Sequence, residues 1–149
     1  MNYAGDLTPE QAWAKLTSGA VLVDVRTQAE WTHIGIPRVP QASRGQQEEL
    51  QEDLPEHQQE PLLVQWNLAG GAPNPDFLDQ LRAYLPDPSA AELVFLCRSG
   101  QRSIAAAETA TQAGYTSFNV LEGFEGVQDA YGDRTVNGWK NRRLPWREC

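Results

Sequence analysis

The chain has 149 residues, enough for one ordinary domain with a core of its own. An apolar fraction of 40% with only 21% charged residues excludes a disordered chain. A formal net charge of -8 sets the surface against nucleic acid and anionic lipid, so neither a nucleic-acid partner nor a membrane is expected.

Thr8 opens the first helix: its hydroxyl caps, Pro9 suits the first helical position and Gln11 closes a capping box. Ala12, Trp13 and Leu16 form the apolar face, and Gly19 ends it. Residues 20–25 are a short, nearly continuous apolar run, the pattern of a strand buried in a parallel sheet. Thr27 and Glu30 form a second capping box and open a short helix. Two prolines and a glycine make 34–40 an extended loop or a very short strand. The Gln- and Glu-rich stretch 41–60 reads as a surface insertion, with a solvated helix over 46–53 as the alternative. A strand follows at 62–66 and a Gly- and Pro-containing loop at 67–75. Asn74 is expected to cap the next helix, with Pro75 at its first position and Phe77, Leu78, Leu81 and Leu85 along one face. The strand 92–96 runs into a tight turn at 97–100, and a helix over 102–113 is stopped by Gly114. The last clear strand is 117–121; 122–129 is punctuated by glycine, and the tail from 137 carries two Trp and a Pro. This alternation predicts an α/β fold with an open, mostly parallel sheet.

The two cysteines, Cys97 and Cys149, are too few for a disulfide framework. His33 and His57 add no metal-ligand spacing, so no metal site is expected. No window approaches the roughly 20 apolar residues of a membrane span. Residues 1–6 lack the basic-then-apolar order of a signal peptide, and a reducing cytoplasm is the expected compartment.

The chemistry concentrates in Cys97-Arg98-Ser99-Gly100-Gln101-Arg102-Ser103. This segment follows a buried strand and opens a helix, and open α/β sheets bind ligands at the carboxyl ends of their strands. The first amides of a helix lack internal partners and, with the helix dipole, favour negative charge. Arg98 and Arg102 add positive charge in an otherwise acidic chain, so the Cys97 thiolate is favoured. Gly100 permits the tight turn, while Ser99 and Ser103 leave room and offer hydroxyls. The result is an anion cradle with a nucleophile at its base. It suits attack on phosphorus or arsenic, or attack on a sulfane sulfur that leaves a persulfide. Four residues separate Cys97 from Arg102, one fewer than in cysteine phosphatase loops, and the shorter ring favours a single sulfur atom.

The loop resembles the active loop of rhodanese-like sulfurtransferases. Leu22-Val23-Asp24-Val25-Arg26, followed by Glu30, resembles that family's amino-terminal signature. Ala113-Gly114-Tyr115 and Val120-Leu121-Glu122-Gly123 with Gly126 resemble the segment after its active helix. Gly138-Trp139 and Leu144-Pro145-Trp146 resemble the ending of small bacterial members. The likeness implies an open, mostly parallel sheet with helices on both faces. It implies one domain over 1–149, with an insertion at about 44–75 and a tail at about 137–149. It also implies thiosulfate:cyanide sulfurtransferase-like chemistry without metal or organic cofactor. Cys97 would take sulfur from a small anionic donor such as thiosulfate and pass it, as a persulfide, to a thiol or cyanide acceptor. Arg98, Ser99, Gly100, Gln101, Arg102 and Ser103 would form the substrate-binding loop, with Asp24, Arg26 and Glu30 as structural supports.

Two alternatives stand beside this reading. One is a non-catalytic sulfur-carrier or sensor module loaded by a sulfur-relay protein that docks on the insertion. The other is a cysteine phosphatase or arsenate reductase, which the loop spacing disfavours. The segment His33-Ile34-Gly35-Ile36-Pro37 departs from the family's His-Ile-Pro-Gly-Ala, so no role carries over to His33. Trp139 and Trp146 read as anchors of the tail. Cys149 reads as a plain terminus, with a resolving thiol as its alternative.

Overall fold

The computed structural model describes residues 2–40 and 58–148. The strands are β1 (Gly5–Leu7), β2 (Val21–Asp24), β3 (Ile36–Pro37), β4 (Val39–Pro40), β5 (Gln58–Gln59), β6 (Leu62–Leu63), β7 (Leu93–Leu96), β8 (Ser117–Val120) and β9 (Trp146–Arg147). The helices are α1 (Pro9–Thr17), α2 (Gln28–Ile34), α3 (Phe77–Tyr84) and α4 (Arg102–Gln112). Five strands form an all-parallel sheet in the order β1-β8-β7-β2-β6. No helix among the described residues is long and apolar enough to cross a membrane.

The pleat sorts the central strands between two cores. On one face, Val23, Leu93 and Phe95 pack with Phe77 and Leu81 of α3 and with Ala106, Ala107 and Ala110 of α4. On the other, Leu22, Val94 and Leu96 pack with Ala12 and Leu16 of α1, Phe124 and Trp139. Each fully buried Leu, Val or Phe contributes about 1.5–3 kcal/mol, which explains why largely apolar segments as short as β2 and β7 hold as strands. Both expected capping boxes form, at Thr8–Gln11 and Thr27–Glu30.

Strand register places the site. Asp24 lies beside Leu96, and the Val25 amide donates to the Leu96 carbonyl at 2.8 Å. Cys97 therefore emerges level with Val25 and Arg26. On the other side, Asp6 of β1 lies beside Asn119 of β8. The sequence reading has no strand at β1; three residues are too few to show a period.

Two other local expectations change, and the very short strand expected within 34–40 occurs twice. Asn74 does not cap α3, which begins at Phe77 after Asp76. Instead its side chain accepts from the Asp76 amide at 3.0 Å and donates to the Gln65 carbonyl at 2.8 Å, tying the preceding loop to the helix. The 62–66 strand pairs in regular ladder only at Leu62–Leu63, although Val64 and Trp66 still donate to the Asp24 and Val25 carbonyls. The segment 34–40 divides into β3, antiparallel to β9, and β4, antiparallel to β5. The tail thus packs on the body: Trp139 is fully buried, and its Nε1 donates to the Pro145 carbonyl at 2.8 Å. The Gln/Glu-rich helix considered over 46–53, and residues 44–57 of the expected insertion, lie outside the described residues, as does Cys149.

Candidate active site

Cys97 is the first residue beyond β7, and its side chain is 1% exposed. Its Sγ accepts the Gly100 amide at 3.2 Å and lies 3.2 Å from Ser103 Oγ. Gly100 adopts φ 96°, and a Cβ at this position would strike the Leu121 carbonyl oxygen, so the turn needs glycine on two counts.

The segment after β8 holds the loop from behind. The Phe124 amide donates to the Cys97 carbonyl at 2.8 Å, and the Glu125 amide donates to the Arg98 carbonyl at 2.9 Å. In a trans peptide N–H and C=O point in opposite directions. The Arg98 and Ser99 amides therefore face away from that segment. Among the described residues these two amides, with that of Gln101, have no backbone acceptor. Together with the first amides of α4 they leave the turn that carries Cys97 with several backbone donors that have no backbone acceptor. The Arg98 and Gln101 side chains are exposed at its rim, and Ser99 is half-buried.

Arg102 does not extend freely from the helix start. Its two terminal nitrogens donate to the Glu30 carboxylate at 2.8 and 2.9 Å. Glu30 is in turn fixed by the Thr27 amide at 3.2 Å and the Thr27 hydroxyl at 3.1 Å. The capping box of α2 therefore also orients the loop's arginine. Burial pushes the Glu30 carboxyl up, but the hydrogen bonds from Arg102 and Thr27 outweigh it and leave it below its ordinary value. The pair with Glu30 raises the Arg102 guanidinium, and the nearby Asp24 carboxylate adds to that stabilisation.

Asp24 and Arg26 are completely buried and joined at 2.7 Å. Arg26 also donates to the Gly35 carbonyl at 2.8 Å, and its guanidinium lies 4.3 Å above the Phe124 ring. One side chain thus fastens the end of β2, the turn after α2 and the segment that grips the Cys97 carbonyl. The altered turn has a steric reason: Gly35 sits at φ 122°, where a Cβ would lie 2.6 Å from the Trp146 ring.

The structure gathers Asp24, Arg26, Glu30, Cys97, Gly100, Arg102 and Ser103 around the end of β7. It also adds two residues that the sequence reading missed. Ser103 Oγ donates to Asn119 Oδ1, and Asn119 Nδ2 donates to Asp6 Oδ1 at 3.0 Å. Asn119 is fully buried on β8 between Phe118 and Val120, and a polar amide within a short strand candidate was the available signal. A cavity of about 330 Å³ opens beside Arg102, bounded by Thr27, Gln65, Leu68 and Gly71. The loop at 67–73 therefore borders the arginine side of the site.

Comparison with known proteins gives concordant matches. The family model of the rhodanese-like domain matches residues 8–130. The crystal structure of Rv0390 from M. tuberculosis is similar at 45% identity and TM-score 0.78, over 99% of each chain. Reduced CoADR-RHD of Bacillus anthracis resembles 80% of this chain with 16% of its own, at TM-score 0.50 and 19% identity, a likeness of fold alone. The uncharacterized RP600 homolog of Rickettsia rickettsii is 35% identical over 129 residues, 86% of this chain and 83% of its own.

Proposed function

The chain belongs to the rhodanese-like domain family, and we propose on that basis that it is a sulfurtransferase whose sulfur is carried on Cys97. The observation that carries this reading is the turn around Cys97: the Gly100 N–H donates to Sγ, and the Arg98, Ser99 and Gln101 amides of the same turn have no backbone acceptor. Such donors stabilise a negative charge developing beyond Sγ without reorganisation.

In the proposed cycle the Cys97 thiolate uses a lone pair to form an S–S bond with the outer sulfur of thiosulfate or a similar anion. The donor's own S–S bond breaks, and sulfite leaves with its electron pair. The persulfide's outer sulfur carries the charge and lies among the loop amides. An acceptor thiolate or cyanide attacks that sulfur, and the Cys97 thiolate departs. Electrons balance within each displacement, so no metal or redox cofactor is called for. Arg102, held by Glu30, supplies fixed positive charge near the sulfur, while exposed Arg98 steers anions toward the loop. Asp24 and Arg26 hold the loop's supports. A nucleophile that must stay a free thiol suits a reducing compartment such as the cytoplasm.

Thiocyanate formation from thiosulfate and cyanide is the test. Wild type should turn over and Cys97→Ser should not; a wild type inactive with every sulfane donor would sink the enzymatic reading. A second reading, a sulfur carrier loaded by a relay protein, draws support from Leu121. This residue is 52% exposed while its backbone contacts the active loop, an apolar element where a partner would sit. Negligible rates with small donors, together with sulfur loading of Cys97 by a desulfurase, would select it.

A further inference from the structure

Hydrogen-bond direction around Cys97 is set by a chain of buried groups that reaches β1. Asp6 carboxylate oxygens only accept, so the Asn119 amide must turn its NH2 toward Asp6, at 3.0 Å. The same NH2 lies 3.4 Å from the Gly100 carbonyl, a second acceptor. Asn119 therefore presents its oxygen to Ser103, and an amide oxygen also only accepts. Ser103 has a single hydroxyl proton, which is then committed to Asn119. Toward Cys97, 3.2 Å away, the hydroxyl offers only a lone pair. Cys97, Ser103 and Asn119 are all at most 1% exposed, so no bulk water relieves the arrangement.

We propose that Asn119, anchored by Asp6, is a positioning residue that turns the Ser103 hydroxyl away from Cys97 and so tempers ionisation of the resting thiol. A protonated Cys97 can donate its S–H to the Ser103 lone pair. A thiolate faces that lone pair unless the hydroxyl rotates, and rotation strips the buried Asn119 oxygen of its donor. The chain thus opposes the Gly100 amide and the Arg102 charge, which favour the thiolate. The charged groups clustered here are Arg98 and Arg102 of the loop and α4, Asp24 paired with Arg26 on β2, Glu30 on α2 and Asp6 on β1. Of these, Asp6 acts through a hydrogen-bonded chain rather than through its charge. Tyr3 donates to the same Asp6 oxygen at 2.8 Å, which keeps the carboxylate in place.

This inference deepens the sulfurtransferase reading, but its test does not depend on sulfur transfer. The readout is the thiolate absorbance of the whole chain near pH 7, with Cys97→Ser as the blank, beside the rate of iodoacetamide alkylation at Cys97. Ser103→Ala removes the lone-pair acceptor of the thiol and takes nothing from the thiolate, so the thiolate-to-thiol ratio should rise about fivefold, the effect of one ordinary hydrogen bond. Asp6→Asn, at an exposed position, frees the Asn119 amide to turn over and should raise the ratio in the same direction. In the Ser103→Ala background, Asp6→Asn should add nothing, because its route to Cys97 is gone. A lower ratio in Ser103→Ala would show that the hydroxyl donates to the sulfur and would overturn the proposal. An Asp6→Asn effect that persists without Ser103 would overturn it too, as plain charge. Failure to make thiocyanate, with these ratios as expected, would count against the sulfurtransferase reading alone.

Discussion

Glu30→Gln tests whether the capping box of α2 also fixes the loop arginine. The glutamine carbonyl still accepts the Thr27 amide, so the start of α2 survives and the change falls on the bond to Arg102. That bond is bidentate, at 2.8 and 2.9 Å, with the Glu30 and Arg102 side chains 19% and 25% exposed. Charge-assisted bonds of this kind contribute more than surface pairs and less than fully buried ones, so the loss should be about 1–2 kcal/mol. For a chain of this size that lowers Tm by roughly 2–8 °C. The pH dependence follows from the lowered Glu30 carboxyl. A group depressed in the folded state contributes stability that is fully present above its unfolded value, about 4.3, and lost as pH falls through the folded value. Urea unfolding of both proteins at pH 7 and at steps down to about pH 3 should show a gap at neutrality that closes on acidification. Equal stability at pH 7, or a gap undiminished in acid, would refute the coupling.

Asp24→Asn leaves the buried Arg26 charge without its counterion and should cost about 3–5 kcal/mol in urea unfolding, more than Glu30→Gln; a loss below 1 kcal/mol would mean the Gly35 and Phe124 contacts suffice. Gly100→Ala forces a Cβ against the Leu121 carbonyl at φ 96° and should destabilise by more than about 1 kcal/mol, while abolishing thiocyanate formation by moving the Gly100 amide from Sγ. Wild-type rates in a folded Gly100→Ala protein would remove that amide from the account.

Much of the site was legible because its cues are local. Cys97 and Arg102 bracket one turn, Gly100 marks its left-handed residue, and the Thr27–Glu30 box is a short-range signature. The structure confirmed the mostly parallel sheet because short, largely apolar runs at 21–24 and 93–96 have little other use than burial on both faces. What escaped depends on pairing between distant segments. Asp6 meets Asn119 only because β1 lies parallel to β8, 113 residues on in sequence. Asn74 was expected to cap α3 from its spacing to Pro75, but α3 begins only at Phe77, and Asn74 Oδ1 instead accepts the Asp76 amide ahead of the helix while Nδ2 donates to the Gln65 carbonyl. The Glu30–Arg102 pair joins two familiar signatures, yet neither signature contains the other's partner.

In the proposed cycle Cys97 accepts and holds one extra sulfur atom. Intact-mass measurement after brief treatment with thiosulfate, wild type beside Cys97→Ser, tests it most directly. Wild type should gain the mass of a single sulfur, removable by cyanide, and Cys97→Ser should gain none. A wild type whose mass stays unchanged with thiosulfate and with other sulfane donors, or an adduct retained in Cys97→Ser, would contradict it.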